Sequence, residues 1–477
     1  MPSRRSSSPL ATLLVVSVAL FMVTLDNLVV STALPSLRVD LGAGLEGLQW
    51  IVNGYTLAFA VLLLPAAALG DRFGRRRMFL IGLSVFTGAS ALAALAPSTG
   101  ALIAARAVQG AGAAIVAPLT LTLLSEAFPP ARRGVALGIW SGVSGLGVAL
   151  GPLVGGMVVD GLAWQWVFWI NVPVGLALIP VARRILVESR GPSSHLDLAG
   201  LALGTLGLLG LVFGIVRGNE QGWGTVEIVA SLALGATLLA GFIAYESRVK
   251  HPMLPMRFFR SRGFAATNAV SLVMYFGIFG SIFFLTQVFQ TAQGYSALES
   301  GLRTLPWTAM PMLVAPLAGL FSDRIGSRPL MVAGLVLQAI AIAWIATVVT
   351  VDTPYLELVP AFVMGGTGMA LVFAPAANAV LAAVRPEEAG QASGATNAIR
   401  EVGGVMGVAI LAAVFSGSGS YASPAAFIEG VQPALWVGAA VLAVGALAAT
   451  LVPGRRGEAA TTTPGTIGAA VPQPVAA

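Results

Sequence analysis

The chain contains no cysteine and only two histidines, and charge is scarce, with 10% of its 477 residues being Asp, Glu, Lys or Arg. Without cysteine there is no disulfide, no thiol nucleophile and no thiolate metal site. His195 and His251 both fall in predicted loops, so neither is placed to relay protons inside an apolar segment. No GxxxxGK(S/T) phosphate loop occurs, which leaves direct ATP drive unsupported. There is no metal constellation and no nucleophile paired with a base, so neither enzyme chemistry nor a metal or other cofactor is expected. Soluble domains carry charge on about a quarter of their residues. This chain has too little to clothe a water-facing surface.

What is present instead is apolar: 57% of the residues. Runs of about 20 or more without an unpaired charge recur from end to end, each long enough to cross a hydrocarbon layer of about 30 Å as a helix. Fourteen spans are predicted, at 10–34, 48–69, 78–97, 101–127, 134–159, 164–186, 197–216, 225–246, 263–290, 301–321, 329–350, 355–384, 394–416 and 431–452. The predicted fold class is an all-α polytopic membrane protein with 14 transmembrane helices. The basic residues sit in short blocks between spans. With residues 1–9 cytoplasmic, roughly 21 of them fall on the inner side and only Arg38 and Arg217 in outer loops, as the positive-inside rule requires. Both termini are then cytoplasmic, and the basic excess orients the chain in a lipid bilayer rather than marking a nucleic-acid partner. Trp50, Trp164, Trp166 and Trp223 fall near outer span ends, where an indole suits the interface. The first span reads as retained, and the tail 454–477, without periodicity or bulk, as disordered.

The turn after span 2 reads DRFGRR from Asp71, and the turn after span 10 reads DRIGSR from Asp323. A motif repeated in equivalent inner turns points to two homologous halves. Six spans to each half give an N-terminal bundle at 10–190, an inserted hairpin at 191–250 and a C-terminal bundle at 251–453. Two charges lie well inside the first half. Asp26 in span 1 and Arg106 in span 4 differ in depth by only a few ångström at a rise of about 1.5 Å per residue, so they can meet. An intramembrane acid of this kind faces a cavity or another charge; a proton carrier and a permanent structural ion pair are both open readings. Glu401, beside Arg400 near the inner end of span 13, reads as a solvated pair reaching for the interface. Span 5 places Gly147, Gly151, Gly155 and Gly156 around Pro152, which permits close helix approach and a bend, or simply tight packing. Asn53, Tyr55, Gln109, Asn171, Tyr275 and Asn378 are candidates to line a path between the halves, with interhelical hydrogen bonding as the alternative. Scarce buried charge favours a hydrophobic organic small molecule as the substrate.

Six segments in order, AALGDRFGRR (67–76), LDNLVVSTALP (25–35), LIAARAVQGAGAA (102–114), GVALGPLVGG (147–156), WQWVFWINVPVG (164–175) and NAIREVGGVMG (397–407), carry a closer likeness. Together with the 6+2+6 arrangement they make the chain resemble the fourteen-span drug:proton antiporter branch of the major facilitator superfamily. Ala67, Ser31, Gln165 and Glu401 stand where that family usually has glycine, asparagine, arginine and glutamine. The resemblance implies two six-helix bundles plus an inserted two-helix hairpin, and proton-driven export of hydrophobic drugs or antibiotics by alternating access. It implies a coupling role for Asp26 and Arg106. Asp71, Arg72, Gly74, Arg75 and Arg76, with Asp323 and Arg324 as the second-half counterpart, would form an inner gate. Gly147, Gly151, Pro152, Gly155 and Gly156 would form an exporter motif that restricts leak. Protons, the bilayer and the carried compound are the implied partners, and a bacterial cytoplasmic membrane the implied location. Export of an endogenous metabolite, such as a self-made antibiotic, siderophore or lipid, is the alternative. A non-transporting receptor or assembly subunit is a more distant one.

Overall fold

The computed structural model describes residues 8–190, 197–385 and 388–454. Among them are fifteen α-helices: α1 (Pro9–Asp40), α2 (Leu45–Phe73), α3 (Arg75–Ala94), α4 (Thr99–Ala127), α5 (Pro130–Gly161), α6 (Trp166–Trp169), α7 (Asn171–Ile185), α8 (Leu198–Gln221), α9 (Val226–Glu246), α10 (Arg262–Gln287), α11 (Ala297–Ile325), α12 (Ser327–Val348), α13 (Tyr355–Ala382), α14 (Ala389–Ser418) and α15 (Pro424–Ala449). Thirteen segments are long and apolar enough to cross a membrane, α6 and α7 together making one of them. Helix α2, bent by 55° between Leu45–Leu63 and Pro65–Phe73, adds a fourteenth. Pro65 lacks the N–H that would bond back one turn, which is where a helix gives way. The expectation of a disordered tail falls on residues outside those described.

Local sequence explains where the helices start. Ser98, Asp197, Ser261 and Ser423 each accept a hydrogen bond from a first-turn N–H of the helix that follows. Ser296 and Glu299 form a reciprocal capping box at the start of α11. Helix α1 runs on to Asp40, past the predicted end at residue 34, with Pro35 inside it. The proline frees the carbonyl of Ser31, and Thr286 of α10 donates to it at 3.2 Å. Pro35 thus creates an acceptor for the neighbouring helix rather than a stop. Of the interfacial tryptophans, Trp166 and Trp223 are exposed as expected, but Trp164 is buried edge-on against Phe168. The aromatic contact inside the bundle outweighs the interface there.

Helices α1 to α7 pack mainly on one another, with α2 against α4, α3 against α4 and α1 against α5; α10 to α15 do the same through α10–α14, α12–α13 and α12–α15. Two main seams join these sets, α5 against α11 and α2 against α14, and α1 also touches α10. The α8–α9 pair is closed by Gly210 on α8 against Gly235 on α9, where neither helix has room for a Cβ. Helix α8 then docks at the α2–α14 seam, with Val212 and Val216 clustering with Leu57, Val61, Val405 and Ala409. Arg217 pairs with Glu46 at 3.3 Å, and Asn219 donates to Ser416 at 2.6 Å. The hairpin therefore touches both sets. The end of the molecule carrying residues 70–77 is called the basic end below, and the opposite one the far end.

Gly74 and Gly326 occupy equivalent turns of the repeated motif, with φ of +106° and +86°, a region that a side chain disfavours. At Gly74 a Cβ would also meet the Glu188 carboxylate, whereas at Gly42, with φ of +61°, it would meet nothing. Gly74→Ala is therefore expected to lower the melting temperature of the purified protein more than Gly42→Ala does, both because φ +106° with ψ 127° lies farther from the space open to alanine than φ +61° and because the Glu188 carboxylate fills the Cβ position. Equal melting temperatures for the two variants would remove the Glu188 contact from the argument.

Candidate functional site

Asp26 and Arg106 are both buried and in contact, with Arg106 Nη1 2.5 Å from Asp26 Oδ2. The other carboxylate oxygen accepts from Gln109 Nε2 at 2.8 Å and from Asn171 Nδ2 at 2.7 Å. Gln109 also donates to Ser90 Oγ and accepts from Arg106, while Arg106 Nε donates to the Ile51 carbonyl. The guanidinium lies 4.1 Å from the centre of the Tyr55 ring. Helices α1, α4 and α7 thus meet at one carboxylate that faces donors only, and α2 and α3 join the network through Arg106 and Gln109. Asp26 accepts three hydrogen bonds, so Oδ2 keeps a lone pair for a proton, but a proton arriving there leaves Arg106 without its counter-charge in a dry site. That is costly. The protonation state of Asp26 and the packing of five helices are therefore linked by geometry.

A cavity of about 1770 Å³ lies between the two helix sets. It runs from Asn27, Leu28 and Glu401 at mid-depth to Lys250, Arg257 and Arg260 at the basic end, and those three are exposed. Asp26 and Arg106 do not line it. At the far end the sets are in contact. Asp160, at the end of α5, accepts from the N–H groups of Ala297 (3.0 Å) and Leu298 (2.8 Å), capping α11 from across the seam. Gln290 donates to the Thr32 carbonyl at 3.0 Å and Thr308 to that of Ala149 at 3.1 Å. A Cβ on Gly156 would strike the Ala297 and Leu298 backbone, and one on Gly301 the backbone of Pro152 and Leu153. The other glycines of the motif face α1, with Gly147 at Thr24, Gly151 at Leu28 and Gly155 at Val29 and Thr32. Pro152 sits in α5 among them.

The turn at 71–77 is built from its own half. Asp71 accepts from Arg75 Nε at 2.9 Å and Nη2 at 2.7 Å, and Arg75 also pairs with Glu126. Glu188 accepts from the backbone N–H of Arg76 (3.0 Å) and Arg77 (3.2 Å), placing an anion at the N-terminus of α3. Arg72 lies over Phe73, and Arg76 reaches Glu188 at 3.7 Å. In the second half Arg324 is exposed, and the side chain of Asp323 is outside those described.

Three expectations need correction. Of the six residues assigned to the path, Tyr275 and Asn378 line the cavity, but Asn53, Tyr55, Gln109 and Asn171 do not. Gln109 and Asn171 are spent on Asp26, Tyr55 lies under Arg106, and Asn53 is fully buried with neither amide atom bonded. Second, Arg400 and Glu401 are not a solvated surface pair. They are 5% and 8% exposed, about 17 Å into α14 at 1.5 Å per residue, and they act on one another through space rather than by a hydrogen bond. Adjacent helical positions point about 100° apart, so the two line the cavity side by side. The third is Trp164, already described. Sequence reasoning also missed Glu126, Glu188, Asp160 and a carboxyl pair at the foot of the hairpin. There Glu246 is buried, accepts from the N–H of Leu254 at 3.0 Å, and crowds with Asp197 around Gly200.

These features, two helix sets around a cavity closed at one end, define a membrane transporter. Residues 16–408 and 271–472 match the Major Facilitator Superfamily, and the chain belongs to that family; it is a transporter and not an enzyme. It is 38% identical over 406 residues to the "Tetracenomycin C resistance and export protein" of Streptomyces glaucescens, covering 84% of this chain and 75% of that one. It is 40% identical over 430 residues to the "Cephamycin export protein CmcT" of Amycolatopsis lactamdurans, covering 88% of each. Among solved structures, a POT family transporter in complex with 5-aminolevulinic acid aligns with a TM-score of 0.68 at 15% identity, over 91% of this chain and 94% of that one. That likeness concerns the fold alone.

Proposed function

We propose that the protein is a proton-coupled exporter of hydrophobic drugs or antibiotics, seated in the bacterial cytoplasmic membrane with both termini and the basic end in the cytoplasm. The observation that carries this reading is the separation of two sites in one transporter fold: a sealed Asp26–Arg106 pair and a large cavity reaching the basic end. The names of relatives that export tetracenomycin C and cephamycin support the direction of transport. On this reading the cavity faces the cytoplasm and Asp160 holds the far end shut. The bundles at 10–190 and 251–453 then rock about the two seams. As the far end opens, a proton reaches Asp26 and frees Arg106; as the basic end opens, the proton leaves and the pair re-forms. Asp71, engaged by Arg75 here, would turn to the α14 N-terminal region near 392–400 in the opposite conformation, an anion at a helix start. The test is efflux of a panel of lipophilic dyes and antibiotics from proteoliposomes under an imposed pH gradient. Failure of every compound to move would remove the reading.

The far-end cap makes a separate expectation. Hydrogen bonds to a charged group contribute about 1.5–3 kcal/mol each, so Asp160→Asn is expected to shift the equilibrium at least about tenfold away from the state with its cavity at the basic end. Because the chain has no cysteine, a single cysteine in place of Ser144, which lines the cavity, reports this directly. Slower labelling from the basic side in the Asp160→Asn background is the expected result, and an unchanged rate would show that the cap does not hold the far end.

A further inference from the structure

The central cavity contains a charge whose hydrogen-bonding capacity is mostly unused. Arg400 lines the cavity at mid-depth, and only its Nη1 is engaged, donating to Asn397 Oδ1 at 3.4 Å. Nε and Nη2 make no hydrogen bond. Phe373 and Tyr275 lie 4.6 Å and 5.9 Å from the guanidinium carbon, and Tyr275 stacks on Phe279. Aromatic faces offset part of a cation's charge but leave its N–H groups unsatisfied. Glu401 acts on Arg400 through space but accepts no hydrogen bond from it, and one of its oxygens is itself unbonded. The two charges differ in permanence. A buried glutamate can take up a proton and become neutral, whereas a guanidinium stays charged. The lasting demand of this site is for an anionic oxygen.

The cavity is largely apolar, walled by Leu28, Phe279, Ile282, Trp307, Met369 and Phe373, with Asn27, Thr308, Asn378 and Thr396 among its polar lining. A small inorganic anion would leave those walls uncovered. The volume exceeds the roughly 300–1,000 Å³ of a typical drug-sized site, so a multi-ring compound fits. At the mouth, Lys250 and Arg260 add positive potential along the way in, while Arg257 is paired with Glu388 at 2.7 Å and Asp71, Asp197 and Glu246 line the same cavity.

We infer that the cavity is a binding site for aromatic organic acids, with Arg400 Nε and Nη2 donating to a carboxylate or phenolate oxygen while Tyr275, Phe279 and Phe373 hold the rings. The inference rests on the export reading and narrows its substrate class. A matched pair of probes tests it: sodium 2-naphthoate and 2-naphthylmethylammonium chloride, which share a ring system and differ in the sign of charge. Calorimetric titration of the purified full-length protein is expected to show the naphthoate binding at least about tenfold more tightly than the ammonium compound, the scale of charge-assisted hydrogen bonds. Arg400→Gln is expected to weaken naphthoate binding about tenfold or more, with Arg400→Lys falling between. Equal or tighter binding of the ammonium probe, no binding of either, or unchanged naphthoate affinity in Arg400→Gln overturns the assignment. If the glutamine variant does not fold, the wild-type preference and Arg400→Lys decide. Dye efflux under a pH gradient separates the two levels. Efflux of neutral dyes without a preference for acids sinks this inference alone, and absence of all efflux beside an Arg400-dependent naphthoate preference sinks the export reading alone.

Discussion

Asp26→Asn is expected to abolish accumulation driven by a pH gradient while leaving substrate exchange across the membrane intact. Asparagine keeps the shape of a protonated Asp26 but can neither bind nor release the proton, so both conformations remain reachable and only the coupling is lost. The variant also strands Arg106, and an uncompensated buried charge costs about 3–5 kcal/mol; lost activity alone would therefore be ambiguous. The double variant Asp26→Asn/Arg106→Gln removes the stranded charge. It is expected to recover thermal stability relative to Asp26→Asn and to remain uncoupled. For one proton per molecule, each pH unit of gradient sustains up to about tenfold accumulation in the wild type, and the uncoupled variants should equilibrate at a ratio near one. Accumulation by Asp26→Asn at the wild-type level would place the coupling elsewhere, with Glu401 the next carboxyl to examine.

Gly156→Leu should trap the transporter with its far end open. The added side chain would overlap the Ala297 and Leu298 backbone across the α5–α11 seam, and backbone there has no way to give. Overpacking costs about 1–3 kcal/mol, a shift of roughly 5- to 150-fold between the two conformations. The clash lies between helix sets that separate during the cycle, so the protein can relieve it by opening, without unfolding. Gly155, one residue away, faces Val29 and Thr32 of α1 inside a single set. Gly155→Leu is therefore expected to lower the melting temperature, whereas Gly156→Leu lowers transport and slows labelling of a cysteine at position 144 while melting near the wild-type temperature. The reverse pattern would mean that the α5–α11 seam does not open.

Much of this was legible in the sequence, for identifiable reasons. Span number follows from hydropathy and the placement of arginines, and depth along two helices is enough to bring Asp26 level with Arg106. Contacts made by backbone or across seams were not legible. Asp160 looks like an ordinary loop acid until α11 is seen to begin beneath it, and Glu188 gains its role from the exposed N–H groups at the start of α3. Arg400 and Glu401 were misread because sequence gives distance from a helix end but not the cavity that faces it. Gln109 and Asn171 illustrate the converse. Polar residues at mid-depth suggested a path, yet a single buried carboxylate consumes their hydrogen bonds. Hydropathy cannot tell a polar group that awaits a ligand from one already satisfied.

The most direct test is proton movement in proteoliposomes that contain the wild-type protein and a trapped pH indicator, with no pH gradient imposed. A neutral lipophilic dye is supplied on one side only. Exchange through Asp26 requires protons to move against the direction of the dye, and that flux to vanish in Asp26→Asn. Dye transport with no proton flux, or with protons moving alongside the dye, would contradict it.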